Sequence, residues 1–266
     1  MDPTDFHRLL DHLGLSWSGY RKVRRGAQGR VTRHMQQIGC RGIQEYLERL
    51  DREEAVRREC ERRMTVPISR FFRDRRLWEL LEERVLPQRL ARPAASFKVW
   101  SAGCARGEEV YSLKILWENL RATGRNLPAL EVLATDLHPD YLAMARRGIF
   151  GRSSLKEVRP TDCSRWFEPI SGADRFAVHP TLRAGIVWKV HNLRDDPPGK
   201  GFDLIFLRNN VLTYCRENIQ ADILAKLVPV LAPTGCLVIG AHERLPAAIS
   251  GLARLPECRY ILEAVS

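Results

Sequence analysis

The sequence predicts an α/β domain, a parallel sheet covered by helices on both faces, preceded by a small all-α domain. Three observations carry that reading. From Phe6 to about Arg63 apolar residues recur at helical spacing, from Phe97 onward short β-type runs alternate with helical stretches, and a glycine-bearing loop follows the first of those runs directly.

In the N-terminal part, Tyr20, Val23, Ala27, Val31, Met35 and Ile38 mark the inner face of one amphipathic helix. Arg21, Lys22, Arg24, Arg25, Arg30 and Arg33 fill other positions, with no acidic residue among them. Such a run is either a solvated face or a docking face for an acidic partner. Ile43, Tyr46, Leu47 and Leu50 predict a second helix. Pro67, the aromatic pair Phe71-Phe72, a helix from Leu77 to Leu86 and the stretch 92–96 then read as a linker region. The expected organisation is therefore a helical domain over 1–66, a linker over 67–96 and an α/β domain over 97–266.

Within the α/β domain, strands are expected at 97–100, 130–134, 202–206 and 236–239, and helices at 108–122, 141–147 and 218–231. Residues 175–190 break the rhythm. They alternate apolar and polar side chains around His179-Pro180 and Ala184-Gly185, which predicts a small antiparallel hairpin, a β-subdomain at about 172–190.

Composition excludes several classes. With 266 residues, 44% hydrophobic and 28% charged, the chain is long enough and apolar enough to bury a core, so it is not a disordered chain. No apolar run approaches the roughly 18 residues of a membrane span, and the acidic start Met1-Asp2-Pro3-Thr4-Asp5 is unlike a signal peptide, so a soluble cytoplasmic protein is expected. The seven Cys contain no CxxC pair, so the expectation is reduced thiols with neither a disulfide framework nor a metal site. The net charge of +11 suggests nucleic acid, yet only seven of the 43 basic residues are Lys, and an Arg bias of that kind can reflect genome composition. Residues 1–96 hold +7 of that charge, which places a charged partner face at the N-terminal end.

The chemistry centres on the loop Ser101-Ala102-Gly103-Cys104-Ala105-Arg106-Gly107, between the first strand and a helix opening with Glu108-Glu109. It lacks the GxGxxG of dinucleotide sites and the Gly-Lys-Ser/Thr of a phosphate loop, so a ligand without phosphates is favoured. About thirty residues on, the second strand ends in Ala134-Thr135-Asp136, where a carboxylate either accepts from ribose hydroxyls or caps the next helix. Loop and strand end together suit an adenosine-type ligand. S-Adenosylmethionine is the leading candidate.

Four blocks then resemble the signatures of the CheR family of chemotaxis protein-glutamate methyltransferases: Ser69-Arg70-Phe71-Phe72-Arg73-Asp74, Trp100 to Leu113, Ala134-Thr135-Asp136, and Arg208-Asn209-Asn210-Val211-Leu212-Thr213-Tyr214. The resemblance covers nearly the whole chain and implies a class I S-adenosylmethionine-dependent methyltransferase (Rossmann-like) domain with an inserted antiparallel β-subdomain. It further implies that Ala102, Gly103, Glu108 and Asp136, with Asn192 and Leu193, line the cofactor site. Ser69 and Arg73 contribute from the linker, and Arg208 and Asn209 close the set, with Asn210 the alternative because one residue too many lies between Arg208 and Tyr214. Arg73 and Tyr214 are the implied catalytic residues. The implied partners are cytoplasmic chemoreceptor helices, with a receptor-tail peptide at the β-subdomain, and neither nucleic acid nor membrane insertion. The sequence departs from the family pattern in Ser69 for Thr, Arg106 for a short polar residue, Val110 for Pro and His138 for Asp. Two other readings stand beside this one. A nucleic-acid methyltransferase would account for the charge but not for Arg208-Asn209-Asn210 where a base-holding Asn/Asp-Pro-Pro-Tyr motif belongs. In a catalytically weakened binding module, Arg106 and the extra residue would have ended turnover.

Overall fold

The computed structural model of the chain describes residues 1–66, 69–91, 94–256 and 258–265. Pro67 and residues 92–93, expected at linker turns, lie outside the described residues. Two compact units are present, Met1–Pro67 with Asn209–Ala221, and Ile68–Arg208 with Asp222–Ser266.

The first unit is helical: α1 (Pro3–Leu13), α2 (Trp17–Tyr20), α3 (Arg24–Gln37), α4 (Ile43–Arg52) and α5 (Glu54–Met64). Local chemistry sets the ends of α1. The Asp2 carboxylate accepts from the Asp5 N–H at 2.8 Å, Pro3 occupies the first turn, and Gly14 takes the left-handed conformation that ends the helix. Phe6, Leu9, Leu10 and Leu13 are thereby aligned on one buried stripe. The single helix expected through Tyr20 and Ile38 is two, broken at Arg21–Val23. Periodicity survives the break because Tyr20 still points inward, donating to the Met64 carbonyl at 2.9 Å and meeting Phe6 edge-on.

Among the described residues, ten strands build the second unit. The main sheet contains β1 (Ser96–Ala102), β2 (Ala129–Asp136), β6 (Ile186–Val190), β7 (Phe202–Leu207), β8 (Leu231–Ile239), β9 (Leu252–Leu255) and β10 (Cys258–Ala264), in the order β6-β2-β1-β7-β8-β10-β9. The first five run parallel; β10 is antiparallel to β8, and β9 to β10. The helix Glu108–Ala122 crosses from β1 to β2. From β1 the chain winds outward to β2 and β6, then returns to β7 on the other side of β1. That reversal opens a crevice at the carboxyl ends of β1 and β7, where ligands bind in such sheets.

A second sheet joins β3 (Ile149–Gly151), β5 (Arg175–Val178) and β4 (Phe167–Pro169) antiparallel, with β5 central. The expected hairpin over 175–190 is therefore not one. Its first half is β5, whereas its second half, β6, pairs in parallel with β2 in the main sheet. Alternation specifies a strand and its faces but not its partner. A helical turn at Pro180–Arg183 separates the halves. The helix expected to reach Leu231 runs from Glu217 to Leu227, and the turn at Val228–Val230, with Pro229 in it, delivers the chain early into β8. Strands β3, β4, β9 and β10 had no counterpart in the sequence reading.

Residues 75–90 are helical, with a wider turn at Leu81–Val85, and bury Leu77, Trp78, Leu81, Val85 and Leu86 in the α/β core. Before them, Phe71 is packed edge-on between Phe150 and Phe167, and the Phe72 N–H donates to the Ser112 hydroxyl at 2.9 Å. This segment is a fixed part of the second unit. Among the described residues the cysteines form no disulfide, and no helix is long and apolar enough to cross a membrane.

Candidate active site

The loop after β1 is shaped by backbone bonds to the end of β2. Gly103 and Cys104 both donate their N–H to the Thr135 carbonyl at 2.8 Å, and the Ala105 N–H donates to Asp136 Oδ2 at 2.8 Å. This fold-back needs positive φ at Gly103 (87°), Ala105 (49°) and Gly107 (91°). At Gly107 a Cβ would lie 3.0 Å from both Ala145 Cβ and Trp188 Cη2, so a larger residue would push the loop off the sheet. Arg106 is exposed, with its guanidinium 5.7 Å from the centre of the Tyr141 ring. The bulky departure in the loop is thus accommodated at the surface.

Two carboxylates are buried beside this loop. Asp136 is 6% exposed, and its Oδ1 accepts the His138 N–H at 2.9 Å while Oδ2 accepts that of Ala105. Its backbone carbonyl accepts from the His191 N–H at 3.0 Å, which brings Asn192 and Leu193 to the same strand ends. Asn192 Oδ1 in turn accepts from the Arg194 N–H. Glu108 is 2% exposed, at the first position of its helix, and accepts from Ser69; its Oε2 has no hydrogen-bond partner among the described residues. Burial pushes both carboxyls up from the usual range, countered at Asp136 by backbone N–H groups and at Glu108 by its own N–H and Ser69. Burial also raises the Cys104 thiol well above its ordinary value, with the Asp136 charge adding to the effect, which keeps it protonated.

Arg208, leaving β7, anchors the Ser69–Asp74 segment. Its side chain is 3% exposed and donates to Asp74 Oδ2 at 2.8 Å, to the Arg73 carbonyl at 2.8 Å and to Glu109 Oε2 at 3.0 Å. Glu109 Oε1 accepts from the Ser101 hydroxyl, so one carboxylate ties β1, the glycine-loop helix and β7 together. Glu109 and Asp74 were not singled out from the sequence. Both stand beside a predicted site residue in a charged doublet, Glu108-Glu109 and Arg73-Asp74, and nothing local says which member faces the ligand and which braces the frame.

Ser69, Arg73, Ala102, Gly103, Glu108, Asp136, Asn192, Leu193 and Arg208 all belong to the second unit. The structure joins Ser69 to Glu108, the loop to Asp136, and Arg73 to Arg208. Asn209 and Tyr214 belong to the helical unit. Asn209 has a left-handed φ of 56°, and Asn210 caps the turn Val211–Tyr214 through its side chain. Tyr214 packs on the helical core, 5.0 Å ring to ring from Tyr20.

The donor set suits a cationic, amino-bearing nucleoside. A glycine cradle, a buried carboxylate with a bare oxygen and a second carboxylate at a strand end offer acceptors, and no phosphate-binding motif is present. The family model described as "CheR methyltransferase, SAM binding domain" matches residues 68–259. Among curated relatives, a probable chemotaxis protein methyltransferase of Rhizobium etli is 34% identical over 81% of this chain and 82% of its own length. A chemotaxis protein methyltransferase of Listeria innocua is 36% identical over 74% of this chain and 73% of its own. An uncharacterized 104.1 kDa protein of Rhodobacter capsulatus is 31% identical over 82% of this chain, which spans only 23% of that protein. The cofactor of the domain is S-adenosylmethionine. The residues present fit it, with Glu108 Oε2 free for an ammonium group and the Asp136 oxygens, each with a further lone pair, for ribose hydroxyls.

Proposed function

The chain belongs to the CheR methyltransferase family, and from that premise we propose that it methylates glutamate carboxylates of chemoreceptors in the cytoplasm, giving glutamyl methyl esters in chemosensory adaptation. The observation that carries the reading is the buried, unpartnered Glu108 Oε2 beside the glycine cradle, an acceptor that the fold leaves open at a cost. The names of the relatives from Rhizobium etli and Listeria innocua support the chemotaxis setting.

When bound, S-adenosylmethionine supplies a methyl group on a sulfonium centre, and transfer to a carboxylate oxygen leaves S-adenosylhomocysteine and a neutral ester. The acceptor glutamate is already ionised at neutral pH, so the protein need supply no strong general base. Its work is orientation and exclusion of water. By resemblance to the family, Arg73 and the Tyr214 hydroxyl are the groups assigned to orient the acceptor carboxylate, and within the second unit the Arg208 network fixes the backbone from which Arg73 projects. Glu108 and Asp136 hold the cofactor's amino and ribose groups. On the helical unit, Arg21, Lys22, Arg25 and Arg33 are exposed and form the docking face for acidic receptor helices. The three-stranded sheet β3-β5-β4 is the place for a receptor-tail peptide.

Incubation with methyl-labelled S-adenosylmethionine and receptor fragments should give label that alkali releases as methanol. Label in nucleic acid, or no label despite tight S-adenosylhomocysteine binding, would overturn the proposal. Tyr214→Phe keeps the ring and removes the hydroxyl. Turnover should fall about tenfold, the loss expected for one oriented hydrogen bond, with cofactor affinity nearly unchanged.

A further inference from the structure

Within the helical unit, the turn that bears Tyr214 is built against the connection between α1 and α3, and we propose that Ser16 and Gly19 are positioning residues that fix Tyr214 for methyl transfer. The inference rests on the reading of Tyr214 as the group that orients the acceptor glutamate.

A four-residue helical turn is too short to hold itself, because its nucleation cost is not repaid by propagation. Val211–Tyr214 is such a turn. Its inner bonds run from the Thr213 and Tyr214 N–H groups to the Asn210 carbonyl, the Gln220 amide donates to the Leu212 and Cys215 carbonyls, and the segment Asp11–Tyr20 braces it from the other side. The Ser16 N–H donates to the Tyr214 carbonyl at 2.8 Å, and the Arg216 N–H donates to the Gly14 carbonyl at 2.8 Å. Leu15 and Cys215 pair as an isolated antiparallel bridge between these two bonds, and Arg216 adds an ion pair with Asp11. The peptide unit of Tyr214 is thus tied at its N–H by Asn210 and at its carbonyl by Ser16.

Gly19 lies directly beneath this turn. A Cβ there would sit 2.1 Å from the Thr213 oxygen and 3.2 Å from Tyr214 Cα, so only glycine lets the two backbones come this close. Tyr20 completes the support. Its ring stands 5.0 Å from that of Tyr214, and it is itself fixed by its bond to the Met64 carbonyl and by Phe6. On this reading the N-terminal unit contributes to turnover as well as to docking.

The test measures kcat at saturating receptor fragment and S-adenosylmethionine, together with the dissociation constant of S-adenosylhomocysteine, in full-length protein whose thermal unfolding confirms a folded state. Ser16→Pro removes the N–H donor, Gly19→Ala pushes on the turn, and Ser16→Ala is the control that keeps the N–H. The first two should lower kcat about tenfold with cofactor affinity within about twofold of wild type, and Ser16→Ala should behave as wild type. Combined with Tyr214→Phe, neither should lower kcat further, because residues acting through one group are not additive. Wild-type kcat in folded Ser16→Pro and Gly19→Ala, or losses that multiply in full with Tyr214→Phe, would overturn the proposal. If those variants do not fold, Tyr20→Phe, which frees the ring from Met64, is judged by the same criteria. Wild-type turnover in Tyr214→Phe alone is a separate result, which removes the catalytic reading of Tyr214 itself.

Discussion

At the start of the helix Glu108–Ala122 a carboxylate is buried with one oxygen bare, whereas along α3 guanidinium groups lie at the surface and some donate to the protein itself. Arg30 gives Nε to the Arg63 carbonyl at 2.7 Å and Nη2 to the Thr65 carbonyl at 2.9 Å, satisfying the C-terminal end of α5. The Arg24 guanidinium lies 5.5 Å from the centre of the Trp17 ring. The basic run is therefore part architecture and part open surface, divided residue by residue. The glycine loop differs, since leaving a buried acceptor unpaired costs roughly 1 to 3 kcal/mol, which a ligand bound there would return. An unpaired buried carboxylate oxygen beside a glycine cradle marks a binding site more sharply than exposed charge does.

Asp136→Ala tests the contrast most severely. It removes the acceptor for the Ala105 and His138 N–H groups as well as for the cofactor, so the dissociation constant of S-adenosylhomocysteine should rise about 100-fold and the unfolding temperature should fall. Unchanged affinity in calorimetry would reduce Asp136 to a brace for the loop.

Glu108→Gln should separate binding from stability. Affinity for S-adenosylhomocysteine should fall about tenfold, while the apo protein becomes more stable by about 1 kcal/mol because a buried unpaired charge is gone. A loss of stability would mean that the fold needs the charge.

The pH dependence follows from the raised carboxyls of Glu108 and Asp136. The folded apo protein binds their protons more tightly than the unfolded chain. That contribution to stability is full below the unfolded carboxylate range and lost as pH rises through the folded values. Cofactor binding uses the ionised forms and so runs the other way. Below the raised values, affinity for S-adenosylhomocysteine should fall by up to about tenfold per pH unit for each group, while the stability gap between Glu108→Gln and wild type narrows. Flat affinity down to the ordinary carboxylate range would contradict this.

The smallest effects belong to the basic run from Arg21 to Arg33. Arg30→Ala should cost about 1 to 2 kcal/mol in denaturant unfolding through its two lost carbonyl bonds. Charge reversal at Arg21, Lys22, Arg25 and Arg33 should leave stability within about 0.5 kcal/mol and slow receptor methylation a few-fold at low salt, an effect that fades as salt is added. Equal methylation at low salt would make the whole run a solvated face.

Much of this was legible in the residues. Helix Glu108–Ala122 and the starts of β1, β2 and β7 follow from apolar period, glycine placement and strand propensity, all local properties. That the glycine loop and Asp136 meet at the ends of β1 and β2 was legible too, because both lie at strand ends that the pattern itself marks. The partner of β6 was not, since period-two alternation is satisfied equally by a hairpin with β5 and by a parallel edge on β2. Nor was the break at Arg21–Val23, where the inner face reads continuously through a turn.

Local sequence chose the elements and brought acidic side chains to the glycine loop. Tertiary packing decided which of Glu108 and Glu109 keeps an open oxygen, since Arg208 and Ser101 reach only the second. It decided likewise that Arg30 closes α5 while Arg25 stays in solvent, and that Tyr214 rests on Ser16, Gly19 and Tyr20. The reason is physical: periodicity and caps are free energies of neighbouring residues, but the satisfaction of a polar atom depends on groups far away in sequence, which only the folded chain brings within bonding distance.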